Sequence, residues 1–194
     1  MTEHDILELF RATGALLEGH FLLTSGLHSG HYFQCAKVLQ YPAHAEALCR
    51  GIAQAFQSDP PDVVISPAIG GIIVGQEVAR QLGVRSIFAE HSSGSLILRR
   101  GFELRRGERV LACEDVTTTG GSVAEVLAIV LNAGARPVGV GSIVDRSGGA
   151  VKFGGVPFVP QLRLRVETYK PGDCPLCAQG IPVVKPGSRR ERLS

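Results

Sequence analysis

The chain has 194 residues, 44% of them hydrophobic and 20% charged, with a formal net charge of +2. That size suits one domain with a real core, the composition excludes a disordered chain, and so small a charge gives no footing for nucleic acid. No apolar run approaches the roughly eighteen residues of a membrane span, and "MTEHDILELF" lacks a basic stretch ahead of an apolar one, so a cytoplasmic chain with its five cysteines as thiols is expected.

In chain order, residues 4–14 suit a short helix, with Ile6, Leu9 and Phe10 on one face and Gly14 as its stop. Residues 43–57 place Ala45, Leu48, Cys49, Ile52, Ala53 and Phe56 at helical spacing. "DVVIS" (62–66) predicts a buried strand, "PAIGG" (67–71) a turn, and 72–82 a helix closed by Gly83. "VRSIFAE" (84–90) and "RVLACED" (109–115) are further strands. Val123, Val126, Leu127, Val130 and Leu131 form a helical stripe up to Gly134, and "PVGVGSIVD" (137–145) returns to strand. Strand, helix and strand recur twice, which predicts the α/β class: a mostly parallel central sheet flanked by helices. The stretch 171–194 is expected as an irregular tail.

Ligands of open parallel sheets sit beyond the carboxyl ends of the strands. There the chain places "LACEDVTTTGGSVAEVL" (111–127), with two acids, three threonines and two glycines between a strand and a helix. Loop amides at a helix N-terminus favour a phosphate. Gly120 and Gly121 allow close approach, and Thr117, Thr118, Thr119 and Ser122 offer hydroxyl donors. Glu114 and Asp115 would repel a phosphate, so they accept hydrogen bonds from sugar hydroxyls or help place a divalent cation. Together these point to a phosphorylated sugar. The Gly-Lys-Ser/Thr of a P-loop and the G-x-G-x-x-G of a dinucleotide site are both absent. An ordinary strand-to-helix turn capped by Ser122 has little use for this composition.

"CEDVTTTGGS" (113–122) resembles the signature of the type I phosphoribosyltransferases. Further segments resemble the orotate-using branch of that family in order and spacing. They are "EGHFLLTSGLHSGHYFQCAKVL" (18–39), "PAIGG", "FAEH" (88–91), "LRRGFEL" (98–104), "VDR" (144–146) and "CPLC…KPGSR" (174–189).

The resemblance implies transfer of ribose 5-phosphate from 5-phosphoribosyl 1-pyrophosphate (PRPP) to orotate, with Mg²⁺ held mainly by PRPP and no protein ligand assignable. It implies that Glu114 and Asp115 hold the ribose hydroxyls as catalytic groups. Val116, Thr117, Thr118, Thr119, Gly120, Gly121 and Ser122 then hold the 5-phosphate. Thr118, Arg146, Tyr32 and Phe33 face orotate, within an N-terminal segment (1–40) that covers it. It further implies a homodimer in which 89–101 is a flexible loop closing over the partner's pyrophosphate, bringing His91, Arg99 and Arg100. Membrane and nucleic acid are not expected partners. From the residues alone, Arg146 could equally be a surface arginine balancing Asp145, and 89–101 a solvated hairpin.

The chain departs from the family pattern at Thr24, Gly70 and Ser95, where lysines are usual, and at His91, where arginine or lysine is. Lys37, Arg99 and Arg100 are the candidates to compensate. A purine phosphoribosyltransferase and a non-catalytic PRPP-sensing regulator are the alternative readings. Cys174 and Cys177 form a C-x-x-C, half of a zinc set that only a dimer mate or distant residues could complete. Plain thiols are expected first there, zinc second, a disulfide last. Cys35, Cys49 and Cys113 fall on apolar faces and are expected in the core.

Overall fold

A computed structural model describes residues 1–23 and 25–186. Its elements are α1 (Glu3–Ala12), β1 (Leu16–Leu22), β2 (His28–Phe33), α2 (Ala36–Leu39), α3 (Pro42–Phe56), β3 (Val63–Pro67), α4 (Gly70–Leu82), β4 (Arg85–Ser92) and β5 (Ser95–Leu98). There follow β6 (Arg109–Thr117), α5 (Gly121–Asn132), β7 (Arg136–Asp145), β8 (Phe158–Arg163), β9 (Thr168–Tyr169) and α6 (Pro175–Ala178). Every strand and helix expected between residues 43 and 145 is present, with ends displaced by at most two residues.

Six strands form the main sheet in the order β5-β4-β3-β6-β7-β8. Only the β4–β5 pair is antiparallel. Strand β3 is buried along its whole length, because apolar layers cover both faces of a parallel sheet. On one face, α1 to α4 set Phe10, Leu48, Ile52, Phe56, Val74 and Val78 against Val64, Leu111, Cys113 and Ile143. On the other, α5 sets Val123, Val126 and Val130 against Val63, Ile65, Val110 and Val140. From β3 the chain first builds outward through β4 and β5, then returns to lay β6, β7 and β8 on the opposite side. The sheet therefore has its topological switch point between β3 and β6.

A second, antiparallel sheet has the order β1-β2-β9. Its pairing of residues 16–33 with 168–169 was not expected from sequence, nor was β8. The register of β1 on β2 slips between Glu18 and Phe21, which interrupts the period-two pattern that marks a strand. The tail also carries more structure than expected: a 3₁₀ turn at Pro171–Asp173, then α6, then Val184 bridging to Phe21. Residues 187–194 and Thr24 lie outside the described residues, and with them most of "KPGSR" and the departure at position 24.

The segment expected as a flexible loop, 89–101, is paired through Leu98, which is the hairpin of the alternative reading. Ala89 faces Leu98 and Ser92 faces Ser95 across a two-residue turn, the tightest connection an antiparallel pair allows. Leu96 is buried under α5, and its amide donates to Glu125 at 3.0 Å. One apolar anchor and one side-chain acceptor thus organise a stretch whose glycine and serines suggest disorder.

Candidate active site

The carboxyl ends of β3 and β6 lie side by side at the switch point. Strand β6 carries Glu114 and Asp115 to its end, and residues 118–120 lead into α5. Gly120 has φ +79° and is itself the N-cap of α5, so no side chain caps the helix. A Cβ there would come within 2.8 Å of Val151 and 3.0 Å of Phe153. The turn therefore needs glycine for its backbone angle and for its packing at once. With no side chain capping α5, its first amides remain available to a ligand. Glu114, Val116 to Val123 and Glu125 line a cleft of about 260 Å³. That cleft gathers the whole expected phosphate loop. Thr118 and Thr119 are exposed in it, while Thr117 Oγ1 is buried without a hydrogen-bond partner.

Glu114 is buried, and one of its carboxylate oxygens accepts from the Asp115 amide at 3.0 Å. Burial, with the neighbouring Asp115 charge, pushes its pKa up to about 9. Asp115 Oδ1 accepts from the Val116 amide at 2.8 Å. The turn from β3 into α4 presses on this pair: a Cβ on Gly70 would stand 2.6 Å from Asp115 Oδ2. Any side chain at position 70, a lysine included, would displace the acid. Glycine there is a condition of this geometry, and the departure from the family pattern has a steric cause.

Arg146 follows β7, and its amide donates to the Thr117 carbonyl at 2.9 Å, binding it to the end of β6. Its guanidinium sits 5.9 Å over the Phe33 ring, and its Nε is buried with no hydrogen-bond partner. Burial lowers its pKa from the ordinary guanidinium value. The surface reading of Arg146 is thereby corrected. Asp145 is fully buried and accepts from the Ser147 amide at 2.8 Å, the Ser147 hydroxyl at 2.6 Å and the Gly149 amide at 3.1 Å, while Arg163 Nε approaches to 3.5 Å. Asp145 is thus occupied in shaping the turn that presents Arg146, a positioning part that sequence reasoning missed. Tyr32 lies half-buried on β2 beside Phe21, its ring 5.9 Å away.

The expected cations are placed differently. Arg100 donates twice to Glu90 at 2.9 Å and lies 5.8 Å over Phe88, so here it braces the β4–β5 hairpin. His91 and Arg99 are exposed on the hairpin. Lys37 is exposed on α2, its Nζ 3.6 Å from where a Cβ on Gly14 would sit. Cys35, Cys49 and Cys113 are buried as expected, and all five cysteines are unpaired. Among the described residues no helix is long and apolar enough to cross a membrane.

A phosphate loop and a paired acid at the switch point of a parallel sheet define a phosphoribosyl-transferring class, and the phosphoribosyl transferase domain family matches residues 36–153. The orotate phosphoribosyltransferase of Chlorobium phaeobacteroides (strain BS1) is 57% identical over 189 residues, covering 97% of each chain. That of Pelotomaculum thermopropionicum is 56% identical over 190 residues, 98% of this chain and all of its own. The crystal structure of orotate phosphoribosyltransferase from Aeropyrum pernix shares the fold with a TM-score of 0.70 at 23% identity, covering 82% of this chain and 94% of that one. The chain belongs to the orotate phosphoribosyltransferase family.

Proposed function

We propose that the chain transfers ribose 5-phosphate from PRPP to N1 of orotate, giving orotidine 5'-monophosphate and pyrophosphate in pyrimidine synthesis. One observation carries this reading: the half-buried Arg146, its Nε enclosed and partnerless beside the phosphate loop, is an unmet demand for a planar anion. The carboxylate of orotate answers it in bidentate fashion. Tyr32, half-buried on β2, offers a face for the pyrimidine ring, whereas Phe33, expected to face it as well, is buried in the core against Phe10 and supports the Arg146 guanidinium from beneath.

The 5-phosphate is held by the amides opening α5 and the hydroxyls of Thr117, Thr118, Thr119 and Ser122, with Val116, Gly120 and Gly121 supplying backbone. Glu114 and Asp115 accept hydrogen bonds from the ribose hydroxyls. The bond from the anomeric carbon to pyrophosphate breaks, the bond to N1 forms, and the N1 proton is lost. Holding both reactants in line, away from water, is the main task of the protein. The raised proton affinity of Glu114 beside Asp115 fits a site that receives cationic charge or hydroxyl donors with its ligand. Glu114 and Asp115 are the acids that would face Mg²⁺ carried in by PRPP, which would there lower the charge on the leaving pyrophosphate. His91, Arg99 and, once released from Glu90, Arg100 meet the pyrophosphate when the hairpin moves, in a homodimer across the subunit boundary.

Loss of orotate absorbance should require both PRPP and Mg²⁺, with adenine, hypoxanthine and uracil as poor acceptors. Equal turnover of any of these bases would overturn the assignment. Activity across subunits is read from mixing R99A/R100A protein with D115N protein: recovery is expected, and none after confirmed subunit exchange would return the hairpin to its own subunit.

A further inference from the structure

The C-x-x-C of the tail finds its missing half in the small sheet. His20 on β1 and His28 on β2 turn their rings towards Cys174 and Cys177, and one ligand atom from each of the four lies within 4.8 Å of all the others. His20 Nε2 is 2.8 Å from His28 Nδ1, 3.5 Å from Cys174 Sγ and 3.8 Å from Cys177 Sγ. Cys177 Sγ is 3.3 Å from His28 Nδ1. Zinc bonds of about 2.0 Å to nitrogen and about 2.3 Å to sulfur give a tetrahedron with edges of roughly 3.3–3.8 Å. These three sulfur–nitrogen distances fall on that scale, and the other ligand-atom separations stay within 4.8 Å. The nitrogen–nitrogen contact is shorter and would open by about half an ångström around an ion.

The surroundings are those of a ligand set. His20 Nδ1 lies 2.7 Å from the Ile181 carbonyl, a bond it can only donate, which fixes the tautomer and leaves the Nε2 lone pair aimed at the cluster. His20, His28 and Cys174 are buried, with only Cys177 reaching the surface. None of the four has a part in the transfer reaction.

We propose that His20, His28, Cys174 and Cys177 form a tetrahedral zinc site that fastens the C-terminal segment to the β1–β2 sheet. Two thiolates and two neutral imidazoles cancel the charge of the ion. Four protein ligands leave no open position for a reacting water, so the site is structural. Its place agrees: five residue steps along β2 lead from His28 to Phe33, roughly 16 Å at the rise of a β-strand. What it braces is the strand that carries Tyr32 and Phe33.

Protein purified without chelator should carry about one zinc per chain by elemental mass spectrometry, while C177S and H20Q should carry almost none. Replacing zinc with Co²⁺ should give the intense visible bands of a tetrahedral dithiolate site. Chelation should lower the melting temperature by at least about 5 °C, and added Zn²⁺ should restore it. Should the variants fail to fold, titrating chelated wild-type chain with Zn²⁺ against a chromophoric indicator decides, with one tight equivalent expected. Wild-type protein that takes up no stoichiometric zinc, or whose Cys174 and Cys177 are recovered as a disulfide, overturns the proposal.

Discussion

The two walls of the active-site cleft are built in opposite ways. The phosphate wall is one continuous run, Glu114 to Ser122, and everything it needs comes from a strand end, a glycine turn and a helix start. The base-facing wall is assembled from pieces far apart in sequence: Tyr32 and Phe33 on β2, Arg146 after β7, with Asp145 holding the turn and β9 closing the sheet. A local wall can be specified by composition alone. A distributed wall depends on how several elements dock, and its key residue is recognised only when its burial and missing partner are seen.

The difference makes the two walls separable by mutation. The largest effect is expected from replacing both acids, E114Q/D115N. PRPP binding should fall about a hundredfold or more by calorimetry, the scale of losing two charge-assisted acceptors, with the melting temperature held or raised. Undiminished affinity would remove the acids from the sugar site. Next, R146A should lose about 2–4 kcal/mol in kcat/KM for orotate, the loss expected for one partner of a desolvated charge pair, while PRPP affinity stays within about twofold. Parallel loss of both would mean the walls act as one unit.

G120A tests the local wall from within. Positive φ and the 2.8 Å approach to Val151 should cost about 1–3 kcal/mol of stability in denaturant unfolding. A neutral result would show that the turn can rebuild itself.

The last effect is in proton linkage. Glu114 has its pKa raised from 4.5 to about 9 in the folded chain. Its contribution to stability is therefore present in full below the unfolded value and is lost as pH rises through the folded one. Ligand-free protein should lose stability between about pH 5 and 9, and E114Q should flatten that slope. Equal slopes in the two proteins would assign the dependence elsewhere.

The same contrast explains what sequence discloses. Helices α3, α4 and α5 and strands β3, β6 and β7 are legible because each is buried along a continuous face, so its period survives in the residues. The phosphate loop is legible because its chemistry is contiguous. Strands β1, β2 and β9 are not, since a register slip breaks the β1–β2 alternation and β9 lies some 140 residues from its partner β2. The β4–β5 hairpin hides behind glycine and serine until Glu125 and the cover over Leu96 are known. Arg146 reads as a cation beside an acid, and only Asp145's commitment to Ser147 and Gly149 separates the two. The C-x-x-C shows two ligands, and His20 and His28 stand about 150 residues upstream.

The small sheet also sets an order of assembly. Val184 donates to the His20 carbonyl at 2.8 Å and accepts from the Leu22 amide at 2.9 Å, so residues near one terminus complete a strand pair near the other. Closing a loop of that length carries a large entropic penalty before any contact repays it. On a ribosome, where synthesis runs from the N-terminus, β1 and β2 emerge early and must wait for the tail. Completion of the base-facing wall therefore waits for residues 168–184, and competence to bind the acceptor should lag behind compactness during refolding.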